Sequence, residues 1–356
     1  MTGSRKSKAL LILLAICLSA FAWQVQSAGA VTQAQKGAAA PPPPQKEEIP
    51  PDSDYMFRKY VPVIDDIKAK ETDPAKRADA LLNWVKANPR ATRAVAYAAS
   101  FYGEVVSSAI KGGDAQKGLT MIQAFQAAAP GDKTLVYLEM YAYNQSKNYA
   151  KAAEIGEKLY AEKPSSEMAS TLYQLYMQTS NQDKVLFYGE KLLAEYPIDK
   201  SFGIALQLAG IYAQRKNAEK ALGLYTQLMT TYGDKVPPGV QEGAWNTVRA
   251  GAYTMMAADS YSKKDFPKAI ELYDKVTKFS PKGDEGCQAW YYIGMAKWQG
   301  KDQKGAIEPF AKAFVLGKAL SAKAKENMEN LWKAEHNGSL DGLDAVIAKA
   351  KSDLGV

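Results

Sequence analysis

One histidine, His336, and two cysteines, Cys17 and Cys287, are all the imidazole and thiol chemistry in 356 residues. A lone imidazole cannot build a histidine metal centre, and it fits poorly with Ser/His/Asp or Cys/His nucleophilic catalysis. No G-x-x-x-x-G-K-[ST] loop, no strand-preceded G-x-G-x-x-G and no H-E-x-x-H is present. His336 falls in Glu335-His336-Asn337-Gly338, which reads as a turn, and Cys287 begins a predicted helix, where a packed thiol is expected. Carboxylate pairs such as Asp65-Asp66 and Glu47-Glu48 are sequence neighbours, so they project apart and read as solvation. The residues therefore predict a protein that is not an enzyme, with no catalytic residue, no metal and no cofactor.

Charge argues in the same direction. Lysine and arginine exceed aspartate and glutamate by 45 to 38, but the basic residues are almost all lysine and are scattered along the chain. That describes a solvated surface and lacks the bidentate arginine set of a phosphate reader, so nucleic acid is not the expected partner.

The first 30 residues carry Arg5, Lys6 and Lys8, an apolar run from Ala9 to about Ala22, and small residues from Ser27 to Ala30. This is the pattern of a secretory signal peptide, with cleavage expected after Ala30 at Ala28-Gly29-Ala30. An uncleaved membrane anchor is the alternative reading. Cys17 follows Leu14-Ala15-Ile16, a poor lipoprotein box because Ile16 stands where a small residue is wanted, so a lipid-anchored form is the less favoured outcome. Residues 31–54, rich in Ala, Gln and Pro with Pro41 to Pro44 in succession, read as a disordered, semi-rigid tether.

Beyond residue 55 the chain repeats itself. Small or β-branched residues recur at Gly118, Ala152, Val185, Ala221, Ala269 and Ala306, at intervals of 34, 33, 36, 48 and 37. Thirteen residues before five of these marks stand Glu139, Leu172, Leu208, Met256 and Ile293, and nine before three stand Tyr143, Tyr176 and Tyr212. Twelve after several stand Pro130, Pro164, Pro197 and Pro281. Each unit is a helix, a turn, a second helix and a proline stop. Small residues let helices approach, and each pair buries its apolar stripe only by stacking on neighbours.

These units resemble the tetratricopeptide repeat (TPR) family. Residues 287–320 carry Trp290-x2-Ile293-Gly294, Ala306-x3-Phe310 and Ala313; residues 250–283 carry Tyr253, Met256-Ala257, Ala269, Tyr273 and Pro281. Further units run 99–132, 133–166, 166–199 and 202–235. Gly156 and Gly189 occupy slots where the family usually has an aromatic. The resemblance implies an all-α TPR superhelical solenoid of about eight antiparallel helix pairs in all, with the solenoid over 55–320 and a C-terminal capping helix pair at 321–356. Ser339 is expected to cap the last helix, and about fourteen extra residues around 233–249 to form a long loop, an extended helix and the point of flexion.

The same resemblance implies a concave groove lined by the first helix of each pair. Its positions here are Tyr137, Tyr141, Asn144 and Gln145; Gln174, Met177 and Gln178; Gln214; Tyr261; and Tyr291, Met295, Trp298 and Gln299. The set is aromatic and amide, suited to extended peptide or to a glycan, and any member can instead be inter-repeat core. The expectation is a bacterial, exported, periplasmic or secreted scaffold that binds a protein or peptide partner. Membrane contact is expected only through an uncleaved leader. A peptidoglycan-binding protein and a structural subunit of an envelope assembly are the rival readings. N-terminal sequencing of the protein from cells should begin at Val31; an intact Met1 or a lipidated Cys17 contradicts the export reading.

Overall fold

The computed structural model describes residues 49–233 and 235–356, and the leader and nearly all of the expected tether lie outside them. Among the described residues are sixteen α-helices and no strand. They are α1 (Asp54–Lys70), α2 (Pro74–Ala87), α3 (Thr92–Lys111), α4 (Ala115–Ala128), α5 (Val136–Gln145), α6 (Tyr149–Glu162), α7 (Ser166–Gln178) and α8 (Gln182–Glu195). Then follow α9 (Ile198–Gln214), α10 (Ala218–Tyr232), α11 (Glu242–Ser262), α12 (Phe266–Phe279), α13 (Asp284–Gln299), α14 (Gln303–Val315), α15 (Ser321–Glu335) and α16 (Leu343–Leu354). The chain forms two compact units, divided inside α8 between Tyr188 and Gly189. The fold is all-α, built from helix hairpins of the tetratricopeptide type.

A single local rule starts the second helix of every hairpin but the last. Asp73, Asp114, Asn148, Asn181, Asn217, Asp265 and Asp302 each accept the backbone N–H three residues on, satisfying an orphan donor of the first turn. From the second hairpin on, the backbone turns left-handed one residue earlier. Gly113 holds that position after α3, but Lys147, Ser180, Lys216, Lys264 and Lys301 hold it in the following hairpins, with φ between 54° and 72°. Glycine is usual where a helix ends this way, and an L-residue there costs about 1–2 kcal/mol. The turn is closed by backbone bonds such as Asp302 N–H to Lys297 C=O at 2.8 Å.

In the first unit, α1 to α4 enclose Leu81, Val85, Ala98, Tyr102, Ile122 and Phe125. The end of the expected tether belongs to this fold. Ser53 caps α1, and Asp52 accepts from the Thr92 hydroxyl and from Arg93 N–H, capping α3, whose own N-cap, Ala91, has no side chain to offer. The spaced marks are the contact points between helices: Ala152 and Val185 are buried, and Leu172 is fully buried against Gly156, where an added Cβ would lie 2.9 Å from Leu172 Cδ2.

The second unit repeats this arrangement. Ala221, Ala269, Ala306, Leu208 and Ile293 are buried, and a Cβ at Gly294 would fall 2.7 Å from two Phe310 ring carbons. The glycine in one helix receives the aromatic of the next. The interval of 48 residues becomes a loop and the 21-residue α11, as expected, and α11 is packed against its neighbours. Trp245 is fully buried against Phe202 and Tyr232, while Arg249 donates from Nε to Gly233 C=O at 3.0 Å and lies over the Phe279 ring. The division of the chain lies at Tyr188/Gly189.

Two expectations for the C-terminal end change. Ser339 accepts from Asp341 N–H within the turn, and α16 starts at Gly342 without a side-chain cap, because the turn runs three residues longer than expected. And α16 packs on α14, where Lys312 pairs with Asp353 at 3.4 Å and Lys349 with Glu308 at 3.8 Å. Cys287 is buried, its thiol against Ala313 C=O and Ser321.

Gly294→Ala should lower stability by about 1–3 kcal/mol in denaturant unfolding, because Phe310 cannot retreat without leaving its pocket; an unchanged midpoint would show that the contact is slack.

Candidate functional site

Every residue assigned to the groove from sequence lies on a first helix of a hairpin. Tyr137, Tyr141, Asn144 and Gln145 are on α5 and Gln174, Met177 and Gln178 on α7, all in the first unit. Gln214 ends α9, Tyr261 is on α11, and Tyr291, Met295, Trp298 and Gln299 are on α13, all in the second unit. The structure therefore presents two faces, one in each unit.

The amides and the aromatics behave differently. Gln145, Gln174, Gln178, Gln214 and Gln299 are exposed and Asn144 is half-buried, and none of these side chains hydrogen-bonds another described residue. Tyr137 is also exposed, at 46%. Tyr141, Met177, Tyr261, Tyr291, Met295 and Trp298 are half-buried, with one side in helix packing and the other toward solvent.

In the second unit the aromatics form a continuous row. Tyr261 meets Tyr292 edge-on at 5.5 Å, Tyr292 meets Tyr291 at 5.3 Å, and Tyr291 and Trp298 both lean on Phe310, at 5.7 and 6.4 Å. Edge-on pairs of this kind lock rings in place and add to area burial. Asn327 of α15, not foreseen from sequence, extends the row: its Nδ2 donates to the Tyr291 hydroxyl at 3.5 Å and lies 3.6 Å from Met295 Sδ. Burial, then the Tyr292 and Tyr291 hydroxyls, push the Tyr261 pKa up, and burial does the same at Tyr141. These phenols stay neutral donors. The row offers ring faces, amides and hydroxyls, and none of its members is a nucleophile or base at neutral pH. Among the described residues no group of three or more His, Cys, Asp or Glu could hold a metal ion, and no helix is long and apolar enough to cross a membrane.

A second polar constellation escaped the sequence reading. Glu157 of α6 accepts from the hydroxyls of Tyr176 on α7 and Tyr188 on α8, at 2.7 and 2.6 Å, and from Lys184 Nζ on α8 at 2.6 Å. The second unit repeats it: Glu190 of α8 accepts from the Tyr212 hydroxyl on α9 and from Lys220 Nζ on α10. Tyrosine and lysine stand eight residues apart in both, and that spacing was the available signal. Every strong donor here is consumed, so the constellation is a clamp between successive hairpins. Burial raises the Glu157 pKa, but the bonds from Lys184, Tyr188 and Tyr176 outweigh it and hold the carboxyl below its ordinary range. At Glu190 the bonds from Lys220 and Tyr212 do the same. Burial and then Glu157 push Tyr176 and Tyr188 upward.

No family model and no curated protein matches the chain. Solved structures do. A tetratricopeptide repeat protein from Parabacteroides merdae is 12% identical over 69% of this chain and 96% of its own, with a TM-score of 0.34. The C-terminal part of a TPR repeat-containing protein from Cytophaga hutchinsonii is 18% identical over 61% and 80%, also with a TM-score of 0.34. The TPR2AB domain of yeast Sti1, solved as a complex with pHSP90, is 15% identical over 69% and 95%, with a TM-score of 0.29. At these scores the fold rests on the helix pairs themselves.

The clamp sets a pH dependence. A carboxyl with a depressed folded pKa contributes stability that is present above its unfolded value, about 4.3, and is lost as pH falls through the folded one. Glu157→Ala should cost about 1–3 kcal/mol at neutral pH and flatten the acid limb of the stability curve. Thermal melts across acid pH check it; a variant as acid-sensitive as the parent contradicts the clamp.

Proposed function

We propose that this protein is an exported, non-enzymatic scaffold of the bacterial cell envelope that holds a protein or peptide partner on the first-helix faces of its hairpins. The observation that carries this reading is the contrast between two sets of polar side chains. The carboxylates at hairpin junctions are saturated by tyrosine and lysine. The amides of α5, α7, α9 and α13 are without a hydrogen-bond partner among the described residues, beside half-buried rings that already have fixed positions. Extended peptide presents alternating N–H and C=O groups that such amides can take in either sense, and side chains that rings can cover. Pre-packed rings lose little freedom on binding.

Location in the periplasm or outside the cell rests on the leader pattern of residues 1–30. A glycan would use the open faces of Tyr291 and Trp298, but both rings already turn an edge or tilted face to Phe310, which favours the peptide reading.

Capture of partners from envelope extract by the mature chain should weaken by an order of magnitude or more when Tyr291, Trp298 and Asn327 are replaced together by alanine, since a central anchor contributes about 2 kcal/mol or more. Capture should survive moderate salt, because these faces bind without a net ion pair. Alanine at the exposed Thr226 and Thr230 of α10 should leave it intact. The reverse result, with α10 changes abolishing capture and α13 changes tolerated, would assign binding to the second helices and a structural role to the protein.

A further inference from the structure

The left-handed turn position is where this sequence departs most consistently from local preference. In the first three hairpins of the second unit it is lysine, Lys216 between α9 and α10, Lys264 between α11 and α12, and Lys301 between α13 and α14, while Asn337 and Gly338 take the left-handed positions between α15 and α16. All three are exposed, and none forms an ion pair with a described residue. Lys147 repeats the feature in the first unit. Glycine is the residue this backbone prefers and asparagine the usual substitute, so a long, branchless cation gains nothing locally from the position. Recurrent outliers of this kind point to selection for something other than stability.

Their placement says what the selection is for. Successive helices alternate direction, so the three turns, each after a first helix, lie along one edge of the second unit, one lysine to each of these hairpins. The second helices that begin there add Lys220, Lys268 and Lys304 in their first turns, although cations oppose the helix dipole at that end. Lys220 and Lys268 are neutralised by Glu190 and Glu271; Lys216, Lys264 and Lys301 are not. The opposite edge is mixed, with Glu195, Asp199, Asp284 and Glu285 interspersed with Lys200, Lys235, Lys278, Lys282 and Lys318.

We propose that this lysine edge docks the second unit on an anionic phospholipid surface. Two features select a lipid surface over an acidic peptide. The cations are lysines, hydrated point charges, with none of the planar forks that grip a carboxylate in fixed geometry. They stand a whole hairpin apart, with neighbouring lysines on the same rim, so they address an extended sheet of charge. No exposed large apolar side chain lies in these three turns, so attachment is electrostatic, reversible and salt-sensitive. It leaves the first-helix faces free for a protein partner and is independent of that assignment.

The test is co-sedimentation of the mature full chain with vesicles of phosphatidylcholine containing phosphatidylglycerol, and with vesicles of phosphatidylcholine alone. Binding is expected only to the anionic vesicles and only at low salt. The triple change Lys216→Gly, Lys264→Gly, Lys301→Gly should weaken it by on the order of a hundredfold, while the thermal midpoint rises or holds. The charge reversal Lys216→Glu, Lys264→Glu, Lys301→Glu should abolish it, and reversal of Lys235, Lys278 and Lys318 should leave it. A glycine triple that melts lower and still binds would make the lysines structural and overturn the proposal. So would failure of the parent to bind anionic vesicles, or retention of the parent on immobilised polyglutamate but not on vesicles.

Discussion

Helices in this protein can stack only where one backbone comes close to another, and that approach depends on a handful of small residues. Ala152, Ala221, Ala269 and Ala306 are fully buried at these crossings, and Gly156 and Gly294 admit Leu172 and Phe310 where a single added carbon would collide. Each hairpin has an apolar stripe that it cannot cover alone. The next hairpin covers it, so stability passes from neighbour to neighbour rather than from one central core. The remaining features serve this stacking or occupy what it leaves exposed. Asp and Asn caps fix where every second helix but the last starts, the Glu157 and Glu190 clamps tie one hairpin to the next, and the Trp245–Arg249 insertion fills the one interval whose length breaks the period.

The polar chemistry of the chain sorts by position on the hairpin. At junctions, carboxylates, phenols and ammonium groups satisfy one another. On first-helix faces, amides are left over beside rings held by their neighbours. At the turns between first and second helices, lysines sit on strained backbone facing solvent.

How much of this was legible in the sequence follows from how local each signal is. The marks at Gly118, Ala152, Val185, Ala221, Ala269 and Ala306 are a one-dimensional period, and the structure buries them as that period requires. The groove set fell on first helices because the family resemblance assigns those faces, but its aromatics other than Tyr137 turned out half-buried. Reach across to Phe310 and Asn327 belongs to the next helices in space, and a single helix pattern does not encode it. The Glu157 clamp was illegible for the same reason: its four members lie on three helices, and only the Tyr176–Lys184 spacing repeats in sequence. Ser339 looked like a cap because it precedes a helix, yet Gly342 with positive φ delays that helix. The lysine turns were readable in principle as lysine one residue before Asp or Asn, where the repeat pattern leads one to look for glycine.

Nearest-neighbour stacking is the claim on which the other assignments depend, and native-state hydrogen exchange on a chain ending before Ser321 tests it most directly. Removing α15 and α16 uncovers α13 and α14, whose partners Met328, Leu331 and Leu343 are lost. Amide protection should fall in α13 and α14 and persist in α9 to α12, which keep their neighbours. Uniform loss of protection throughout the second unit, or full retention in α13 and α14, would contradict an account in which each helix pair is stabilised by the pair beside it.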